Sequence, residues 1–313
     1  MIRAGLLVFE YIYKMETKVQ VVIIFLFLSL TNTASAYGQE EIKLWDGLEK
    51  PFYKKNNLKE FEKQAWGTTA VGNITEPTLT IYMAKGENTG KGVVIIPGGG
   101  YELVAMYHEG YELAELLSKN GVTAAVLKYR IPNPASSDEP HKVPLSDGRR
   151  ALKIMHEKAN AYGVDTNEIG VIGFSAGSHL ATVLGLWKSE DADANPDFTG
   201  LIYGVTNLTE GNQGWLESNL YHRKMTADEV ARNTLLELVN EDTPQAFLVH
   251  ALDDDSCKLE ETTLYAQKLV ENNVLAETHI FPKGGHGFGV GRAEDGTDQW
   301  VSLFVNWLKN NEF

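Results

Sequence analysis

IGVIGFSAGSHLATVLGLW, residues 169–187, is the stretch on which the reading of this chain turns. Its first six residues are glycine, aromatic and branched aliphatic side chains, the composition of a short buried strand. AGSHLATVLGLW (176–187) reads as a helix. Ser175 stands at the junction, inside Gly173-Phe174-Ser175-Ala176-Gly177, a G-x-S-x-G pattern. That pattern alone is weak, but between a strand and a helix it describes a nucleophile elbow. The turn is sharp, so the residues two before and two after the serine must be small; here both are glycine. Such a turn lifts the hydroxyl above the sheet and points it at a helix N-terminus, whose dipole favours developing negative charge. An ordinary tight turn between strand and helix is the competing reading.

Outward from the elbow, short β-rich runs recur: TLTIYMA (78–84), GVVIIPG (92–98), TAAVLKY (123–129), TGLIYGV (199–205), QAFLVHA (245–251) and ETHIFP (277–282). Helical patterns separate them at 107–119, 145–162 and 259–272, and another closes the chain at 298–308. Alternation of this kind predicts a mostly parallel sheet covered on both faces, a three-layer α/β/α sandwich with its reactive loops beyond the carboxyl ends of the strands. Residues 206–243 break the rhythm and are expected to form a small cap or substrate-lining excursion. Residues 37–77 are expected to pack as a leader on a catalytic domain spanning 78–313, with the polar stretch 38–66 extended along its surface.

A serine hydroxyl is a poor nucleophile without a base. His286 lies in KGGHGFG (283–289), a flexible loop after the last strand, and comes last in the order Ser…Asp…His. His179 follows the elbow by one helical turn and reads as a packed structural side chain. His250 and His279 fall within strands, and His108, His141, His156 and His222 read as surface groups. The base needs a carboxylate to fix its tautomer and stabilise its cation. QAFLVHA runs into Leu252-Asp253-Asp254-Asp255, and Asp254 is the expected acid by its spacing after the strand, with Asp253 the alternative. Oxyanion donors are expected from the amides of Gly99, Gly100 and Ala176. PGGGY (97–101) follows a strand, and its glycines let N–H groups converge on one oxygen. A phosphate loop is disfavoured because no Lys-Ser or Lys-Thr follows. Cys257 has no elbow around it and reads as inert. No His/Cys/Asp grouping has metal-ligand spacing, so neither metal nor cofactor is expected. Asp147 and Arg150 read as a structural ion pair.

The chain has 313 residues and a formal net charge of −14. VQVVIIFLFLSL (19–30), preceded by Lys14 and Lys18 and ending in Ala34-Ser35-Ala36, describes a signal peptide over residues 1–36, with Met15 as an alternative start. The apolar run is too short for a comfortable membrane span, which needs about 20 residues. The mature protein is therefore expected in the periplasm or secreted, without stable membrane association after cleavage. A single Cys allows no internal disulfide. Residues 1–36 carry three basic and two acidic side chains, leaving the remainder at −15. Such a surface repels phosphate backbones, which argues against a nucleic-acid partner, and it disfavours acidic polysaccharides unless a local patch overrides it.

PGGGY, HEG (108–110), LKYRIP (127–132), LSDGRRAL (145–152), GFSAG, TPQAFLVHALDD (243–254) and KGGHGFG together resemble bacterial exported carbohydrate esterases. These are α/β hydrolases grouped with acetylxylan and feruloyl esterases, some labelled xylanase-like. The resemblance spans about residues 78–310. It implies an α/β-hydrolase fold and hydrolysis of acetyl or other small acyl esters on plant or algal polysaccharides. The expected partner is an acylated carbohydrate or small ester. Two positions depart from the pattern: Ser178 replaces a common glycine, and Asp-Ser-Cys (255–257) replaces a more apolar stretch. A prolyl-oligopeptidase-like serine peptidase would use the same triad, but the chain has no room for the propeller that gates peptide access. A dienelactone-type hydrolase would need Cys at the elbow, and a non-catalytic carbohydrate-binding relative would have no use for the triad.

Overall fold

The structure, a computed structural model, describes residues 40–313. The expected signal peptide, residues 1–36, lies outside the described residues. Eight strands form the main sheet: β1 (Glu40–Lys43), β4 (Thr78–Tyr82), β5 (Gly92–Ile96), β7 (Thr123–Lys128), β8 (Ile169–Phe174), β9 (Phe198–Ile202), β10 (Gln245–Ala251) and β11 (Ala276–Phe281). Their spatial order is β1-β4-β7-β5-β8-β9-β10-β11. The last six are mutually parallel, whereas β1 and β4 run antiparallel to their neighbours. Every residue of β5 and β8 is buried, which is why these strands read as continuous apolar runs rather than alternating ones.

Helices cover the sheet: α1 (Glu112–Lys119), α2 (Val143–Tyr162), α3 (Ala176–Leu186), α4 (Glu210–Leu216), α5 (Ala227–Asn233), α6 (Leu259–Glu271) and α7 (Trp300–Asn310). Helix α2 stops at Gly163, which takes the left-handed conformation that glycine adopts at a helix end (φ +65°). The alternation expected from the sequence is present, and the molecule has the α/β-hydrolase fold.

Three expectations change. The leader is not merely laid on the surface. β1 extends the main sheet by pairing with β4, and β2 (Phe61–Ala65) and β3 (Thr68–Gly72) form a hairpin that joins β6 (Leu103–Val104) in a separate small sheet. Asp147 does not pair with Arg150. It is fully buried and binds Arg130, whose guanidinium lies 2.7 Å away, and it also accepts from Trp45 Nε1 at 2.8 Å. Arg150 instead binds Glu157 and the carbonyl of Leu44. The helix expected from residue 107 begins with a wide π-type turn, Met106–Tyr111, before α1. Such turns redirect side chains, and this one turns His108 and Glu109 toward the carboxyl end of the sheet.

Candidate active site

The elbow is held by close packing. A Cβ on Gly173 would come within 2.2 Å of the Gly177 carbonyl oxygen, and one on Gly177 within 2.0 Å of that of Ile96. Either substitution would push helix α3 off the strands. Ser175 itself sits at φ +50°, a strained conformation for a residue with a Cβ, and its N–H donates to Ile202 O at 3.0 Å. Ser178, at the position where glycine was expected, is buried against Gly204, where a Cβ would come within 2.1 Å of the Ser178 hydroxyl. A glycine in the neighbouring loop makes room for the extra side chain.

The loop after β11 brings His286 Nε2 to 2.9 Å from Ser175 Oγ. On the other side of the ring, Nδ1 donates to Asp254 Oδ2 at 2.8 Å. Asp254 is 4% exposed, and its second oxygen accepts from the amides of Ser256 and Cys257 at 2.8 and 2.9 Å. The carboxylate is thus fixed by backbone and keeps one oxygen for the imidazole. Asp253 does different work: its side chain accepts from the Gly285 amide at 2.7 Å and ties down the loop that carries His286. Asp255 is exposed, beside Lys258.

Burial disfavours a charge on His286, but the hydrogen bond to Asp254 and the neighbouring Cys257 side chain outweigh it and push the imidazole up to about 10. Asp254 thus stabilises the imidazolium, the form that the ring takes once it has accepted a proton. Asp254 moves the other way: burial alone would raise it, yet the hydrogen bond to His286 holds it below the usual carboxylate value. Beneath this pair lies buried His250. Its Nε2 donates to Cys257 O at 2.9 Å and its Nδ1 accepts from the Thr262 hydroxyl at 2.8 Å. Burial lowers its pKa, so it stays neutral and does not compete for Asp254. His179 is buried with Nδ1 at 2.8 Å from the Tyr101 hydroxyl, as a structural side chain.

The PGGGY loop curls over the serine. Gly99 has φ +127°, and a Cβ there would come within 2.2 Å of Leu103 O, so only glycine fits. The Gly99 carbonyl accepts from the amides of Glu102 and Leu103. In a trans peptide the next N–H points the opposite way, which directs the Gly100 amide away from that turn. Gly99 and Gly100 both line the cavity that contains Ser175. Ala176 N–H is in the first turn of α3, where no intrahelical acceptor exists. Gly99, Gly100 and Ala176 are the residues whose amides the sequence reading expects at a developing oxyanion. The first glycine of the loop, Gly98, donates instead to Glu109 Oε2 at 2.7 Å.

Glu109 was not singled out from the sequence. It is 3% exposed, and its other oxygen accepts from the Tyr203 hydroxyl at 2.8 Å. That hydroxyl in turn accepts from the Gly289 amide at 3.1 Å. Gly98, Glu109, Tyr203 and Gly289 thus form one chain that links the glycine loop to the His286 loop. Tyr203 also packs edge-on against the His286 ring, with centroids 5.0 Å apart.

The cavity has a volume of about 370 Å³ and is lined by Trp66, Ala105, His108, Glu109 and Ser256 around the serine, histidine and glycines. His108 is therefore a wall of the site rather than a remote surface group, and His141 and His156 are half-buried; His222 is exposed. Residues 206–243 contribute none of the described lining. They brace the glycine loop instead: Trp215 Nε1 and Asn219 Nδ2 donate to Gly100 O at 3.2 and 3.0 Å. Trp66 is the aromatic wall that the sequence reading missed. It occupies the two-residue turn between β2 and β3, with Trp66 at φ +53° and Gly67 at φ +77°, the geometry of a tight hairpin turn. It is 66% exposed at the mouth of the cavity. The signal was Ala-Trp-Gly-Thr between two strand-like runs. Among the described residues no group of three or more His, Cys, Asp or Glu side chains could hold a metal ion. No helix among them is long and apolar enough to cross a membrane.

The BD-FAE family model matches residues 79–269. An acetylxylan esterase of Xylanibacter ruminicola is 27% identical over 235 residues, covering 71% of this chain and 46% of that protein. Endo-1,4-beta-xylanase B of Butyrivibrio fibrisolvens is 28% identical over 271 residues, covering 82% of this chain and 41% of that protein. The chain thus spans less than half the length of these two relatives. Among solved structures, an acetyl ester-xyloside bifunctional hydrolase from Caldicellulosiruptor lactoaceticus superposes with a TM-score of 0.74 at 28% identity, covering 89% of this chain and 98% of that one.

Proposed function

We propose that this chain, which belongs to the BD-FAE family, is a carboxylic ester hydrolase in which Ser175, His286 and Asp254 carry out the hydrolysis, and that its natural substrate is an acylated carbohydrate. The observation that carries the assignment is the unbroken line from Ser175 Oγ through His286 to Asp254, with contacts of 2.9 and 2.8 Å, set at a strained elbow. His286 Nε2 takes the serine proton as Oγ attacks the ester carbonyl. The imidazolium so formed is stabilised by Asp254 through Nδ1. The amides of Gly99, Gly100 and Ala176 hold the oxyanion, at positions preorganised by their backbone. His286 returns its proton to the departing alcohol, leaving an acyl-serine. Water then attacks that ester with His286 as base, and the acid leaves.

The carbohydrate reading rests on the mouth of the cavity. Trp66 presents an exposed ring face beside the nucleophile, with His108 and Ser256 as polar partners. A flat aromatic wall with a few hydroxyl- and nitrogen-bearing neighbours suits the apolar face and polar edge of a sugar ring. The acetylxylan esterase and xylanase-named relatives support the same class. The test is acid release from p-nitrophenyl acetate and from acetylated xylan by wild type, Ser175→Ala and Trp66→Ala. Ser175→Ala should lose both activities. Trp66→Ala should keep the small ester and lose about tenfold in kcat/KM on the polysaccharide, the size of one aromatic contact. Equal loss on both substrates would refute the stacking role, and activity surviving in Ser175→Ala would refute the nucleophile.

A further inference from the structure

A second cavity, about 760 Å³ and larger than the Ser175 cavity, shares no lining residue with it. It lies where the start of α2 and the end of α3 meet residues 45–52 and the 206–243 excursion. Five Lys or Arg side chains line it against two carboxylates, Asp191 and Glu229. Both carboxylates are already engaged: Asp191 binds Lys153 at 2.5 Å, and Glu229 takes the Arg223 fork at 2.7 Å on each oxygen. Arg149 and Arg232 have no carboxylate within ion-pair distance among the described residues.

Trp187 holds these two arginines together. Arg149 donates to its carbonyl at 2.6 Å, and the Arg232 guanidinium stacks over its ring at 4.4 Å from the centroid. Trp187 Nε1 donates to Arg232 O at 3.1 Å, which fixes the indole. Burial first, and the positive charge of Arg232 second, hold Arg149 below the usual arginine value. Two like charges are thus brought together without a counter-ion, in a chain whose formal net charge is −14. A third observation points into the same space. His141 lines the cavity and stacks on Tyr221, and its Nδ1 is buried with no hydrogen-bond partner among the described residues.

We infer that this groove is a second carbohydrate-binding site, taking a saccharide that bears a carboxylate. Paired guanidinium forks match a carboxylate in shape and charge. The aromatic walls, Trp45 and Phe52 among them, suit sugar faces, and the volume exceeds what a lone anion fills. The site would let a strongly acidic enzyme hold an acidic polysaccharide that its overall charge repels. The sugar part of the inference rests on the carbohydrate reading of the catalytic cavity; the anion part does not.

Calorimetric titration of the wild-type protein tests it with two unacetylated ligands of equal length, a glucuronate-substituted xylo-oligosaccharide and the neutral one. The acidic ligand should bind at least about tenfold tighter, the margin of one or more charge-assisted hydrogen bonds, and lose that margin in high salt. Arg232→Ala and the milder Arg149→Gln should each weaken it by about tenfold, with kcat/KM on p-nitrophenyl acetate unchanged, which reports an intact fold and catalytic site. Equal affinity for the two ligands, or unchanged affinity in both variants, overturns the inference. Inorganic phosphate binding as tightly as the acidic sugar reduces the groove to a simple anion site and also overturns it. Binding that persists in a protein unable to deacetylate xylan supports this site while refuting the carbohydrate reading of the catalytic cavity.

Discussion

Tyr203→Phe removes one oxygen atom and tests whether the two halves of the catalytic site are mechanically joined. The Tyr203 side chain is fully buried, and burial together with the charge of Glu109 keeps the phenol protonated, so it donates. Its hydroxyl satisfies Glu109 Oε1 and the Gly289 amide at 2.8 and 3.1 Å. Phenylalanine keeps the ring against His286 but leaves both groups without that partner. Each orphaned buried group costs about 1–3 kcal/mol. The variant should therefore be about 2–5 kcal/mol less stable, which for a domain of this size lowers Tm by roughly 4–10 °C. Gly289 is three residues from His286, so the loop carrying the base should also lose its register. A displacement of about 1 Å there costs up to about a hundredfold in rate, and kcat on p-nitrophenyl acetate should fall by about ten- to a hundredfold while KM moves little. Thermal melts followed by circular dichroism, with steady-state kinetics beside them, read both effects. If Tm stays within about 1 °C and kcat is unchanged, the chain from Gly98 to Gly289 does not couple the two loops.

Asp254→Asn should lower kcat by about 10³–10⁴, because the amide neither fixes the Nδ1–H tautomer nor stabilises the imidazolium. The same substitution has a pH signature. Asp254 is a main cause of the raised His286 pKa, and burial alone lowers it, so the acid limb of the kcat/KM profile should move to lower pH in the variant; a limb that stays put would remove Asp254 from the triad. The raised pKa also stabilises the wild-type fold below pH 6.5, an increment that disappears as pH rises through about 10, and urea titrations across that window should show less of it in Asp254→Asn. Arg130→Met should cost about 3–5 kcal/mol, read in urea unfolding, since it strands fully buried Asp147; a loss below about 1 kcal/mol would mean that Trp45 and the backbone suffice to hold that carboxylate.

What could be read in the sequence is what local rules determine. The elbow needs glycine two residues to either side of the serine because backbone atoms lie within 2.2 Å of where any Cβ would be, and that requirement is written in five consecutive letters. The buried parallel strands had to be apolar throughout, so their runs and the helices between them were visible to within a few residues. His286 followed from chain order and its glycine-rich loop.

Other features depended on contacts between distant segments. Asp253 and Asp254 are adjacent and chemically equal; spacing and the local turn onto the Ser256 and Cys257 amides favour Asp254, but it is a loop 32 residues on that meets one at His286 Nδ1 and the other at the Gly285 amide. Arg150 lies three residues from Asp147 on one helix, yet Arg130, at the end of β7, arrives with two nitrogens on the buried carboxylate. Trp66 reads as part of a polar leader until its hairpin pairs with β6 beside the serine, and Glu109 is one acid among many until a π-type turn buries it between two catalytic loops. The residues proposed for the reaction are set by size and order along the chain. Their orientation, and the walls around them, are set by where strands far apart in sequence meet.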